Sequence, residues 1–210
     1  MPKFIDKIDI SSTAVLCIDM INDFVLPGAP IYTDMGYQML SDLRSFLDAC
    51  REKDMRVIYT IHSFRPDGAD RGKHTRVSSH VGSRASCVFG TPGTEIHDQL
   101  TPHPGEVIVN KHYNSPFYNT ELDVVLRAND IKTIVITGVC TDFCCLAAAR
   151  DGLALDYRCI FLSDLTGTSS SPDCGFGRLT PEQHHIATLN NVMATNGEVM
   201  TSEAFLKLLN

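Results

Sequence analysis

The segment that most constrains the fold runs from Thr133 to Arg150. Thr133-Ile-Val-Ile-Thr137 is an uninterrupted β-type run, Gly138 interrupts it, and Leu146-Ala-Ala-Ala-Arg150 is strongly helical. Strands that alternate with helices in this way predict a parallel sheet covered on both faces. Between strand and helix stands Gly138-Val-Cys-Thr-Asp-Phe-Cys-Cys145. A cysteine at such a junction meets unpaired backbone N–H groups and the positive end of the helix dipole. Both favour the thiolate, which is the nucleophilic form. A cysteine-dependent hydrolase is the first expectation.

The rest of the chain repeats the alternation. Thr13-Ala-Val-Leu-Cys-Ile18 is a short apolar run ending at Asp19, as expected of a strand buried on both faces. Helical spacing follows from Asp34 to Lys53, then a strand over Met55–Ile61. Ser63 to Pro92 is a long polar connection, a length often found lining active sites. Gly93–Leu100 reads as a short helix, Glu106–Asn110 as a strand, and Thr120–Asn129 as a helix capped by Asn119. After the cysteine helix come a strand at Tyr157–Leu162, a helix at Pro181–Ala194, a strand at Gly197–Met200 and a helix at Ser202–Leu209. The expected fold is a three-layer αβα domain over residues 1–210, Rossmann-like, with a doubly wound, mostly parallel six-stranded sheet.

Composition narrows the function. A formal charge of −7 speaks against nucleic acid, whose binding rests on neutralising phosphates. No apolar run approaches the ~20 residues of a membrane-spanning helix, and the N-terminus lacks a signal-peptide pattern. A cytoplasmic protein with no membrane partner is therefore expected. The eight cysteines include the C-x3-C-C of Cys140, Cys144 and Cys145, which matches no usual zinc spacing. Most should be buried thiols behaving as small hydrophobes. Charge is uneven: Ser63–Pro92 carries Arg65, Arg71, Lys73, Arg76 and Arg84 against only Asp67 and Asp70. A positive rim of that kind attracts small anions.

Asp19, Lys111 and Cys144 each fall at or just beyond the end of an expected strand. In open parallel sheets that edge binds ligands. At this point three motifs come into register. Val15-Leu-Cys-Ile-Asp-Met-Ile-Asn-Asp-Phe24, Val109-Asn-Lys-His-Tyr-Asn-Ser-Pro-Phe-Tyr-Asn-Thr120, and Gly138–Cys145 with Ala149-Arg-Asp-Gly152 resemble the isochorismatase-like superfamily of cysteine hydrolases. That group includes nicotinamidases, N-carbamoylsarcosine amidases, and ureidoacrylate and biuret hydrolases.

The resemblance implies Cys144 as nucleophile, Asp19 as proton acceptor and Lys111 as third member of the site. It also implies a cis peptide between Val139 and Cys140, with the backbone N–H groups of Cys140 and Cys144 as oxyanion donors. Phe24, Asn22, His62, Arg65, Phe117, Thr141 and Gln183 become expected substrate contacts, with Arg65 or Arg71 as a carboxylate clamp. The implied substrate is a small amide or ureide cleaved through a thioester, and the implied assembly is a homodimer or homotetramer.

Departures from the pattern limit the substrate. Nicotinamidases of the family hold a metal through Asp-x-His, but here the segment reads Thr60-Ile-His62. Threonine is a poor divalent-metal ligand, so no metal or other cofactor is expected, although His74 and His80 lie nearby in sequence. Ile21 replaces the family's glutamine. Isochorismatases proper lack the cysteine, so Cys144 argues against their reaction. Other classes compatible with the sequence are a non-catalytic binding or assembly module and a thiol-redox protein using Cys140 and Cys144.

Overall fold

Thr13–Ile18 (β1) is buried along its whole length, and the strands assemble around it. The computed structural model describes residues 7–77, 85–170 and 173–209. The strands are β1, Arg56–His62 (β2), Val107–Lys111 (β3), Thr133–Val139 (β4), Arg158–Gly167 (β5) and Glu198–Met200 (β6). They form one six-stranded sheet in the order β3-β2-β1-β4-β5-β6, and every pairing is parallel. The order reverses between β1 and β4, which makes their C-terminal ends the topological switch point where such sheets bind ligands.

Alternation along β1 sends its side chains to two separate cores. Val15 and Cys17 pack with Leu43, Phe46, Leu47 and Cys50 of the helix Leu40–Arg51, and Phe46 meets Phe205 at 5.8 Å between ring centres. Ala14, Leu16 and Ile18 face Leu122 and Leu126 of Leu122–Ala128, Ala148 and Ala149 of Leu146–Ala154, and Val192 of Pro181–Thr195. Small residues let the cysteine-bearing helix approach closely. A Cβ on Gly152 would lie 2.7 Å from Ile134 Cδ1 and 3.0 Å from Cys159 Sγ. The sheet is covered on both faces, as the alternation of strands and helices required.

Several local expectations change. The helix expected over Asp34–Lys53 divides into Asp34–Gln38 and Leu40–Arg51, with Met39 between them. The first piece is drawn onto the ends of β4 and β5: a Cβ on Gly36 would sit 2.8 Å from Val139 Cγ1, and one on Gly167 would sit 2.9 Å from Met35 Cβ. Gly93–Leu100 holds two short 3-10 turns, Pro92–Thr94 and Asp98–Leu100, rather than a helix. Asn119 does not cap its helix. It adopts a left-handed φ of 58°, and Thr120 Oγ1 instead accepts from Leu122 N at 3.2 Å. β5 runs past Leu162 to Gly167, because its pairing with β4 shifts register between Ile136 and Gly138 and so absorbs polar Ser163 and Asp164. Among the described residues no helix is long and apolar enough to cross a membrane.

All eight cysteines are free, and seven are buried. Burial pushes the thiols of Cys50 and Cys159 up to about 12 and raises those of Cys17, Cys87, Cys140 and Cys145 as well. A thiol whose folded pKa exceeds its unfolded value near 9 stays protonated in the fold while ionising in the open chain. Its contribution is intact below that value and is lost as pH rises above it. Each such thiol is expected to remove roughly 1 kcal/mol of stability per pH unit above about 9. Urea unfolding under reducing conditions should therefore show a midpoint that falls between about pH 8 and about pH 10. An unchanged midpoint would contradict this account of the core.

Candidate active site

Three strand ends and one helix start converge at the switch point. Asp19 follows β1 directly with φ at 54°, and its N–H donates to Thr60 O at 3.2 Å. Lys111 closes β3, and the parallel register sets it beside His62, which closes β2. Both Asp19 and Lys111 are fully buried, and Lys111 Nζ lies 2.8 Å from Asp19 Oδ2. Thr60 donates from Oγ1 to Asp19 Oδ1 at 2.7 Å. The same ammonium contacts His62 Nδ1 at 3.1 Å, Cys144 Sγ at 3.2 Å, and the carbonyl oxygens of Tyr113 and Asn114 at 3.0 and 3.2 Å. Five acceptors thus surround three N–H bonds, which fixes the ammonium firmly. Because an ammonium only donates, His62 Nδ1 must be an acceptor, and its ring hydrogen is on Nε2.

The thiol reaches this cluster through an unusual turn. The Val139–Cys140 peptide is cis. The chain then makes a π-helical turn, Thr141–Cys145, closed by Cys145 N donating to Cys140 O at 3.1 Å, before continuing as the helix Leu146–Ala154. π-turns are rare and often found at functional sites. Cys144 is only 4% exposed, its thiol donates to Asp19, and its sulfur accepts from Lys111.

Electrostatics here differ from the sequence expectation. Burial pushes the Cys144 thiol up to about 12, against the pull of Lys111. Desolvation thus outweighs the pull of the ammonium on this thiol. Burial acts on Lys111 to lower its pKa, the Asp19 carboxylate at 2.8 Å opposes it, and the net direction is up, towards the charged side chain.

A divalent ion does not suit these donors. Asp19, His62 and Cys144 each place one ligand atom within 4.8 Å of the others. However, Lys111 Nζ already touches all three, and a second cation would sit against the ammonium. Thr60 spends its hydroxyl hydrogen on Asp19. His80 and Arg84 lie outside the described residues.

The expected substrate contacts separate into two groups. Phe24 meets the His62 ring edge-on at 6.5 Å, so both stand beside the reactive cluster. The remainder have other partners. Asn22 donates its amide to Pro92 O at 2.9 Å. Arg65 is not a clamp: it is 64% exposed and pairs with Asp67 at 2.8 Å. Phe117 is core, stacked on Tyr157 at 5.8 Å, because the loop after Lys111 folds back over the cysteine helix. Thr141 Oγ1 bonds His185 Nδ1 at 2.9 Å. Gln183 is exposed and forms a reciprocal capping box with Thr180. The better-placed guanidinium is Arg71, which is buried, lies 4.6 Å over the Phe64 ring and donates to Ser86 O at 2.7 Å. Phe64 in turn meets His62 edge-on at 5.1 Å.

Other residues that hold the site escaped sequence reasoning. Asp23 accepts from Cys87 N at 2.6 Å and crowds Gly93, where a Cβ would be 2.3 Å from Oδ1. With Asn22 it pins the returning end of the long connection. Ser115 Oγ donates to Asp151, and Ser115 also accepts from the N–H groups of Phe117 and Tyr118 at 3.1 and 3.3 Å. The loop that supplies two carbonyls to Lys111 is thereby tied to the cysteine helix. Asn-Asp-Phe and Ala-Arg-Asp in the sequence were the visible signals for Asp23 and Asp151.

Fold and site together are those of an α/β protein whose thiol opens a helix at the sheet's switch point. The family model described as the isochorismatase domain matches residues 13–204, and the chain belongs to that family. A ureidoacrylate amidohydrolase, RutB of Methylorubrum extorquens, is 28% identical over 216 residues, covering 93% of this chain and 86% of that protein. The crystal structure of a cysteine hydrolase from Pseudomonas syringae pv. phaseolicola 1448A superposes with a TM-score of 0.92 at 32% identity, covering 96% of this chain and 94% of that one. An isochorismatase-like hydrolase from Alkaliphilus metalliredigens gives 0.78 at 31%, covering 93% and 98%.

One substitution tests how the site is framed. Gly138 has φ at +106°, and a Cβ there would lie 2.1 Å from Ile18 O, immediately before Asp19. Gly138→Ala should destabilise the fold by about 2–4 kcal/mol. Urea titration measures this, and a change below about 1 kcal/mol would show that the two strand ends are not so tightly apposed.

Proposed function

We propose that this chain hydrolyses a C–N bond in a small amide or ureide bearing a carboxylate, through a thioester on Cys144. The class, a hydrolase of C–N bonds, rests on family membership and on relatives named as amidohydrolases. The observation that carries the mechanism is Cys144 Sγ held between the Asp19 carboxylate and the Lys111 ammonium in a buried cluster.

With the thiol protonated at rest, attack and proton transfer go together. As sulfur bonds to the substrate carbonyl carbon, its proton passes to Asp19, and Lys111 steadies the developing negative charge. The carbonyl oxygen becomes an oxyanion, for which the backbone N–H groups of Cys140 and Cys144 are the proposed donors. Collapse breaks the C–N bond, and Asp19 returns the proton to the departing ammonia or amine. Water then gives a proton to Asp19 as it attacks the acyl or carbamoyl thioester. The C–S bond breaks, and the sulfur leaves reprotonated.

Substrate walls are assigned to Phe24 and His62. Arg71 is the proposed carboxylate contact, because it lies in the aromatic layer that reaches His62 through Phe64. Ureidoacrylate heads the substrate class by likeness to the named relatives, with maleamate and N-carbamoyl amino acids after it.

Ammonia or amine release measured across ureidoacrylate, maleamate, N-carbamoyl amino acids, biuret and nicotinamide tests the reading. Cys144→Ser should lower turnover by about 1,000-fold or more while the protein stays folded. Activity near that of the parent would place the nucleophile elsewhere. Arg71→Met should raise KM about tenfold or more for the carboxylate substrates and spare biuret. An equal loss on all of them would reduce Arg71 to a structural role.

A further inference from the structure

The helix Pro181–Thr195 presses two consecutive histidines against two consecutive residues of the π-turn that carries Cys144. His185 is buried, and its Nε2 lies 2.8 Å from Ser163 O on β5. A carbonyl oxygen only accepts, so Nε2 carries the hydrogen. Burial also lowers the pKa of His185, against the opposing pulls of Ser163 O and Asp142, which leaves Nδ1 bare. The bare nitrogen accepts from Thr141 Oγ1 at 2.9 Å. His185 is therefore a directional bridge, donor at one end and acceptor at the other, from the edge of the sheet to the first residue of the turn.

His184 makes the adjoining contact. Its Nδ1 lies 3.1 Å from Asp142 Oδ2, while Asp142 Oδ1 accepts from Thr168 Oγ1 just beyond β5. Thr141 and Asp142 lie between Cys140 and Cys144, so the stretch that spaces the proposed oxyanion donor pair is gripped from outside at two consecutive residues. These side-chain contacts add to the turn's own backbone bonds, Phe143 N and Cys145 N donating to Cys140 O. The helix that supplies them is itself anchored by the Thr180–Gln183 capping box.

We propose that His185, assisted by His184, is a positioning residue that sets the π-turn so that Cys144 Sγ stays in reach of Asp19 and Lys111. This rests on the assignment of Cys144 as nucleophile but uses contacts which that assignment does not require. Neither histidine touches the reacting atoms in this scheme.

The test compares His185→Leu, which removes both hydrogen bonds, with His185→Gln, whose amide can donate to Ser163 O and accept from Thr141. Iodoacetamide alkylation of Cys144, followed by peptide mass spectrometry, needs no knowledge of the substrate. His185→Leu should slow alkylation about tenfold or more, and lower kcat similarly with KM little changed on any amide the protein turns over. His185→Gln should restore both to within about threefold. Should His185→Leu fail to fold, Thr141→Val deletes the same hydrogen bond and should slow alkylation equally. An unchanged or faster alkylation rate in the folded variant overturns the proposal, as does a glutamine variant as slow as leucine. If Cys144→Ser still releases ammonia, the proposed function falls, and the alkylation comparison alone decides the positioning role.

Discussion

The ion pair between Lys111 and Asp19, fully buried at 2.8 Å, is the constraint on which the rest of the site depends. Taking two charges out of water costs several kcal/mol per ion, and only close pairing with further hydrogen bonds offsets it. The structure supplies both. Thr60 satisfies the carboxylate, while His62 and two backbone carbonyls satisfy the ammonium. These partners come from neighbouring strand ends and from the loop after β3, so the pair holds those elements in register. The sulfur of Cys144 is the remaining acceptor on Lys111. It enters a field already built by the scaffold and is held protonated there by burial.

The same ammonium bears on how a cation would fare among these donors. The ammonium takes the position from which a cation would meet Asp19, His62 and Cys144. Thr60 provides a hydroxyl donor to Asp19 and no anionic ligand.

Much of the fold was legible in the sequence because buried parallel strands announce themselves as short apolar runs. β1, β2 and β4 were read within a residue or two. Asp19, Lys111 and Cys144 were legible too, since each follows or ends such a run, and the structure brings them together. What failed was direction. Arg65 and Arg71 look alike in sequence, yet one is exposed against Asp67 and the other is buried over Phe64. Phe117 belongs to an apolar motif, but periodicity does not say whether an aromatic ring faces a pocket or a core. The split at Met39 goes with close contacts at Gly36 and at Gly167, residues far apart in sequence, which bring helix and sheet together. The opposing effect of burial on the thiol was not legible, because a helix terminus is visible in sequence and desolvation is not.

Two different kinds of attachment meet at the switch point. The reactive trio is secured by main-chain carbonyls, strand register and a buried charge pair, none of which depends on what molecule arrives. Beside it stand Phe64 and Arg71 of the connection after His62, whose returning end is fastened by Asp23 and Asn22 of the short helix that follows β1. Under the proposed function, chemistry and selectivity are mechanically separable here. Replacing that one stretch of chain, with its two anchor points kept, would let a lineage explore new substrates without rebuilding the machinery that breaks the bond.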